Sequence, residues 1–200
     1  MNSSSQTTHQ IRNIIARVVS IIGHPLIFLS TAALIAATEK GVSMQQLKFI
    51  FITLVMLGLI SMAYSYFQVR SGRWTHIDAS AQGERKSLNM FLATLCLLSA
   101  GIVWILSDRP HMVIALALSG ALFIIALLIS KWVKLSLHTA FAVFATTLLW
   151  PNIFAVSIGI IMTALLIWSR LTLGRHVVKD IIVGFVTGAC AGVLYQLLST

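Results

Sequence analysis

The sequence predicts an all-α fold: a polytopic transmembrane helical bundle of about seven spans, with six as the lower count. Three observations carry that expectation. Hydrophobic residues make up 58% of the 200-residue chain and charged residues only 10%, and mean hydropathy is +0.94. A soluble domain of this size typically carries about 25% charged residues to keep its surface wet. Long stretches contain no Asp, Glu, Lys or Arg at all, and the 14 basic residues fall between them. This composition excludes a secreted or cytosolic globular protein, a disordered chain and a nucleic-acid binder. The net charge of +9 is not gathered into a basic run or a basic helix face.

Taken in order, residues 2–10 are polar and read as a mobile tail, so residues 1–16 stand apart from a single transmembrane domain over 17–200. Stretches 18–38, 49–69, 87–107 and 110–130 are charge-free and each 21 residues long. That length suits a helix crossing a hydrocarbon core about 30 Å thick. The first stretch is full span length and lacks a small-residue cleavage site, which predicts an uncleaved helix rather than a signal peptide. Within it, His24 beside Pro25 reads as a packing or kink feature. Residues 135–169 are charge-free over 35 positions, too long for one ordinary span. Trp150-Pro151-Asn152 divides them, because proline removes a backbone donor and disfavours helix just before it. The halves run from about Leu137 to Trp150, short for a span, and from about Ile153 to Trp168. Residues 181–200 form the last helix. Its Gly184, Gly188 and Gly192 make a small-residue face of the kind that lets helix backbones approach closely in a membrane. Packing within the chain is the favoured use of that face, and the oligomeric state is left open. Cys96 and Cys190 lie inside apolar runs, where neither a disulfide framework nor a zinc site is expected.

Seven spans place the N-terminus and the loops after the second, fourth and sixth spans on one side. That side holds 11 of the Lys and Arg residues, and the other holds only Lys40, Lys48 and Arg109. The positive-inside rule assigns the rich face to the cytoplasm of a bacterial inner (plasma) membrane. Trp74, Trp132 and Trp168 fall near this face and Trp104 and Trp150 near the other, as aromatic belts at the headgroup level do.

Polar chemistry collects on the rich face. His176 and Asp180 are four residues apart at a helix start, on one face and able to pair. A carboxylate on one imidazole nitrogen leaves the other free as nucleophile or base. Arg170 and Arg175 supply planar guanidiniums that suit phosphate oxygens. The loop before the fifth span reads Lys131-Trp132-Val133-Lys134-Leu135-Ser136-Leu137-His138, and an earlier loop runs from Arg73-Trp74-Thr75-His76-Ile77-Asp78 to Glu84-Arg85-Lys86. No His, Cys and carboxylate set has metal-ligand spacing, so no metal or other cofactor is expected. His9 and His111 read as interfacial residues, and His176 as an exposed site histidine.

Ser169-Arg170-x5-His176-x3-Asp180 matches the third signature, Ser-Arg-x5-His-x3-Asp, of the type 2 phosphatidic acid phosphatase and vanadium haloperoxidase superfamily. Over about residues 70–198 the chain resembles the membrane lipid phosphatase branch of that superfamily. Leu135-Ser136-Leu137-His138 keeps the serine and histidine of the second signature, Pro-Ser-Gly-His, without its proline and glycine. Asp78-x6-Arg85-Lys86 has the spacing of the first, Lys-x6-Arg-Pro, but not its lysine or proline. The resemblance implies a divergent first motif in which Arg85 keeps its role and Lys134 or Lys131 replaces the missing cation.

The resemblance further implies metal-independent hydrolysis of a phosphomonoester or diphosphate of a lipid. His176 would be the nucleophile forming a phosphohistidine, Asp180 its support and His138 the acid and base. Arg170, Arg85, Ser136, Lys134, Lys131 and Ser169 would bind the phosphate. A site at helix ends beside lipid favours phosphatidate, phosphatidylglycerophosphate or a prenyl diphosphate over soluble metabolites. The alternatives are a lipid-phosphate-binding membrane protein whose catalysis has eroded with the first motif, and a small transporter. A transporter wants ionisable groups near the midplane, whereas here the Asp, Glu, Lys and Arg residues sit at span ends.

Overall fold

A computed structural model describes residues 3–79, 81–107 and 109–199, with side chains from Gln10 onward. Described residues form helices α1 (Ser3–Ile22), α2 (Pro25–Glu39), α3 (Met44–Arg70), α4 (Gln82–Leu106), α5 (Pro110–Leu128), α6 (Leu137–Leu148), α7 (Ile153–Thr172) and α8 (Val178–Leu198). No strand occurs among them. Helices α3, α4, α5, α7 and α8 are each long and apolar enough to cross a membrane, and α1 with α2 adds a sixth candidate span. The chain is an all-α polytopic membrane protein.

Several sequence expectations change. The first charge-free stretch is not one straight helix: α1 and α2 meet at 49° across Gly23-His24. Pro25, at the first position of α2, has no amide hydrogen to continue α1 and holds His24 extended at φ −60°, ψ 136°. Upstream, α1 reaches back to Ser3 through the polar stretch that reads as a tail. His9 lies outside the residues whose side chains are described. The fifth expected span is also corrected. Helix α6 has only 12 residues, about 18 Å at 1.5 Å per residue, too short to span alone. The count is therefore five to six spans, below the expected seven.

Helix α6 is short because it is the centre of the bundle. Nine of its 12 residues are buried, packed by α8, α7 and α2. Phe141, Phe144 and Leu148 of α6 join Leu122 and Ala126 of α5, Ala36 of α2 and Ala191 and Tyr195 of α8 in the main core. Lipid tails are as apolar as these side chains, so helix association here depends on close packing rather than on water exclusion. The glycine face of α8 supplies it. A Cβ on Gly184 would sit 2.6 Å from the Ser136 carbonyl oxygen. Cβ atoms on Gly188 and Gly192 would collide with the Ala140 carbonyl and the Thr147 side chain. The face is thus filled within the chain. On the other side of α6, Gly159 of α7 admits Thr146, whose hydroxyl lies 3.2 Å from that of Thr163.

This packing runs α6 and α8 parallel, with Ser136 beside Asp180 at one end and Thr147 beside Gly192 at the other. At the far end, Asn152 caps α7 through Ala155 N–H (2.9 Å) and donates to Glu39 at the end of α2 (3.0 Å). Trp74, expected in an aromatic belt, is instead buried, edge-on to Tyr64 at 5.6 Å. Trp132, Trp104 and Trp150 are exposed.

Gly188→Leu should separate α8 from α6 and destabilise the protein by roughly 1–3 kcal/mol, as overpacking does. Gly101 of α4 has open space around it, so Gly101→Ala should be neutral or stabilising by about 0.5 kcal/mol. Thermal unfolding in detergent distinguishes the two, and equal effects would remove the close-packing account.

Candidate functional site

Three loops converge at the end where α6 and α8 begin. The loop between α3 and α4 is folded by Glu84, a buried carboxylate in the first turn of α4. Its Oε1 accepts from the Thr75 N–H (2.7 Å) and hydroxyl (3.0 Å), and its Oε2 from the Ala81 N–H (3.0 Å). This positions Asp78 against Arg175 at 3.5 Å. The loop before α6 is tied to the loop before α8 at three points. Ser136 N–H donates to the Asp180 carbonyl (3.2 Å), Lys134 Nζ to the Arg175 carbonyl (2.8 Å) and Lys179 Nζ to the Trp132 carbonyl (3.4 Å).

At the centre, His176 Nδ1 lies 3.3 Å from Asp180 Oδ2, and the side chains are only 7% and 9% exposed. The expectation of an exposed His176 is thus corrected: the loop folds its ring inward onto α8. The same carboxylate oxygen accepts from Val177 N–H at 3.3 Å, closing the first turn of α8. A carboxylate oxygen only accepts, so Nδ1 carries the proton and Nε2 keeps its lone pair. Burial is the largest influence on His176, followed by the charges of Arg170 and Lys134. Together they outweigh the support from Asp180 and bring its pKa down to about 4. The ring is neutral at physiological pH, as a nucleophile must be.

Arg170, near the end of α7, donates from Nη1 to Ser20 of α1 at 3.0 Å. Its Nε is buried without a hydrogen-bond partner among the described residues. Its charge acts on His176 and on His138. Of the two candidate lysines, Lys134 reaches this group. Burial foremost, then the charge of Arg85, pushes its ammonium below the usual lysine range, with Arg170, Arg175 and Asp180 also within electrostatic reach. Lys131 is exposed and Arg85 half-buried.

Both serines expected at the phosphate are turned into the protein. Ser169 is completely buried and donates to the Ala16 carbonyl at 2.6 Å, clamping α7 to α1. Ser136 is equally buried, its hydroxyl 3.0 Å from that of Thr139. Their positions follow from helix packing, since each lies at the seam with a neighbouring helix.

Sequence reasoning missed one group. His24, read as a kink feature, does sit at the bend, yet its ring stands 5.4 Å from that of His138 at 87°. An ionisable residue inside an apolar stretch was the available signal. Two surface depressions, about 400 Å³ beside Trp104, Ser107 and Arg109 and about 350 Å³ between Leu34, Ile35 and Phe51, lie towards the opposite end. The arrangement around His176 can hold an anion beside a neutral, oriented imidazole with a second imidazole nearby.

Comparison with family models, with curated proteins and with solved structures finds no match for this chain. The class defined by the fold is a polytopic, all-helical membrane protein with a polar cluster at one end of its bundle.

A pKa near 4 against about 6.5 in the unfolded chain has a consequence for stability. Between these values the unfolded state binds a proton that the folded state does not, so stability rises with pH. The contribution is full above about pH 6.5 and lost as pH falls towards 4, on the order of 3 kcal/mol over the range. Denaturant midpoints between pH 4 and 7 should shift less in His176→Asn than in wild type. Parallel curves would remove the buried, neutral assignment.

Proposed function

We propose that the protein is a metal-independent lipid phosphatase that hydrolyses a phosphomonoester or diphosphate of a lipid through a phosphohistidine. The observation that carries this reading is a neutral His176, paired through Nδ1 with Asp180, within electrostatic reach of Arg170, whose buried Nε–H has no partner among the described residues. An unpaired buried donor is costly, and a phosphate oxygen would satisfy it. The likeness of Ser169-Arg170-x5-His176-x3-Asp180 to the phosphatase signature supports the same chemistry.

In this mechanism His176 Nε2 forms a bond to phosphorus as the bond to the lipid oxygen breaks. Burial foremost, then the Arg170 charge, holds the His138 pKa well below the usual histidine range. His138 therefore takes up its proton with the anionic substrate and gives it to that leaving oxygen. His138 then takes a proton from water as the water attacks phosphorus, the P–N bond breaks, and phosphate leaves with His176 regenerated. Asp180 holds the imidazole and supports its positive charge. Arg170, Lys134 and Arg85 stabilise the equatorial oxygens, the main protein contribution to phosphoryl transfer. The histidines lie among helix ends of a membrane bundle, which favours a substrate whose phosphate reaches the interface while its tail stays in the bilayer.

A second reading keeps the cradle and drops turnover: a lipid-phosphate-binding membrane protein. The inward-turned hydroxyls of Ser136 and Ser169 favour it, because neither is presented to a ligand.

Phosphate release from a panel of lipid phosphates by the detergent-purified protein separates the readings. Wild type should turn over with EDTA present and be inhibited by vanadate. His176→Asn should lose at least about 10³-fold, Asp180→Asn less, and Arg170→Gln about 10²-fold. Full activity in His176→Asn ends the covalent mechanism. Vanadate binding without turnover by wild type favours the binding protein.

The basic end of the bundle is placed in the cytoplasm by the same proposal, following the 11 to 3 distribution of Lys and Arg. A single cysteine at Lys131, with Cys96 and Cys190 replaced by alanine, should resist an impermeant thiol reagent in intact cells. Labelling without permeabilisation would put the site outside.

A further inference from the structure

The bend between α1 and α2 contributes a residue that the phosphatase signature does not include, and its role rests on the phosphatase reading above. His24 closes the break at Pro25 with its own ring: Nδ1 accepts from Leu26 N–H at 3.3 Å. A nitrogen that accepts carries no proton, so the neutral ring has its hydrogen on Nε2. The His24 ring stands perpendicular to that of His138, with centroids 5.4 Å apart and planes at 87°.

The bend itself is pinned to α7 just above this contact. Ser20 accepts from Arg170 (3.0 Å), Ala16 accepts from Ser169 (2.6 Å), and a Cβ on Gly23 would come within 2.8 Å of Leu166 Cδ1. The α1–α7 seam therefore holds the backbone at the bend, and the cap holds the ring of His24, which is otherwise an exposed residue. On its other side, His138 is the second residue of α6, whose start is tied to the Asp180 carbonyl. Arg170 acts electrostatically on His24, His138 and His176 alike.

We infer that His24 is a positioning residue for His138, holding that imidazole in the orientation from which it protonates the leaving oxygen. His138 acts as acid when the lipid oxygen leaves and as base when water attacks. Only the acid step depends on the leaving group, so loss of His24 slows formation of the phosphohistidine through the leaving group and not through the phosphate cradle. A misplacement of about 1 Å in a catalytic group can cost on the order of 10²-fold in rate.

The test uses His24→Asn, which keeps an N-cap acceptor for Leu26 and removes the ring. Turnover of the full-length, detergent-purified protein is measured on an alkyl lipid phosphate and on a nitrophenyl phosphate, whose leaving group needs no proton. The lipid ester should slow by about ten- to a hundred-fold, while the first-turnover burst of nitrophenol, which precedes the base step, stays within about threefold of wild type. In a His138→Ala background, His24→Asn should add no further loss on the lipid ester. His24→Phe, which keeps a ring against His138 and gives up the cap, should recover part of the rate on the lipid ester. An equal loss in the nitrophenol burst, or a further loss in the His138→Ala background, would overturn the inference and leave the phosphatase reading standing. A wild type inactive on both esters would instead remove the reading, and this role with it.

Discussion

The contact on which the rest of the structure depends is the approach of α8 to α6 through Gly184, Gly188 and Gly192. Backbone meets backbone along this seam, with no room for a Cβ against the carbonyls of Ser136 and Ala140. Hydrophobic association is weak between helices already in lipid, and small residues compensate by maximising contact and allowing backbone groups to meet. The Ser136 N–H to Asp180 carbonyl bond is the end of that seam. It brings the first turn of α6, with His138, to the first turn of α8, with Asp180. The separation of the two histidine-bearing segments is thus set by glycine packing that begins one turn below them.

Electrostatics at this end follow from the packing. Arg170 is held from behind by Ser20 and keeps one buried donor unmatched among the described residues. Lys134 is fixed by the Arg175 carbonyl, and Arg175 faces Asp78. The site therefore gathers cations around a neutral imidazole, with Asp180 engaged by His176 and the α8 backbone. The opposite end is organised differently. There, Lys40 lies 3.3 Å from His111 and over the Tyr195 ring, and Glu39 receives Asn152. Those contacts join helix ends and present no carboxylate-supported imidazole.

Helices α1 and α2 have a larger part than their apolar sequence implies. The Pro25 break lets one segment do two things: α1 clamps α7 through Ala16 and Ser20, and α2 packs the central helix α6. A straight helix could not satisfy both directions at once. The histidine at the bend follows from the same constraint, because the residue before proline must be extended and its side chain is free to cap.

The sequence by itself determined the membrane class, most of the helix boundaries and the His176–Asp180 pair. These depend on local spacing, such as charge-free length and the i, i+4 relation, which a single segment contains in full. It also indicated the glycine face, whose four-residue repeat is local too. Only the tertiary structure decided that α6 is a short buried core helix rather than a span, that Ser136 and Ser169 face inward, and that His24 meets His138. Each of these turns on contacts between distant segments, as between Ser169 and Ala16, 153 residues apart. A motif orders its residues along the chain. Which of their side chains point at a ligand is set by the helices packed on either side, and that information is distributed over the whole bundle.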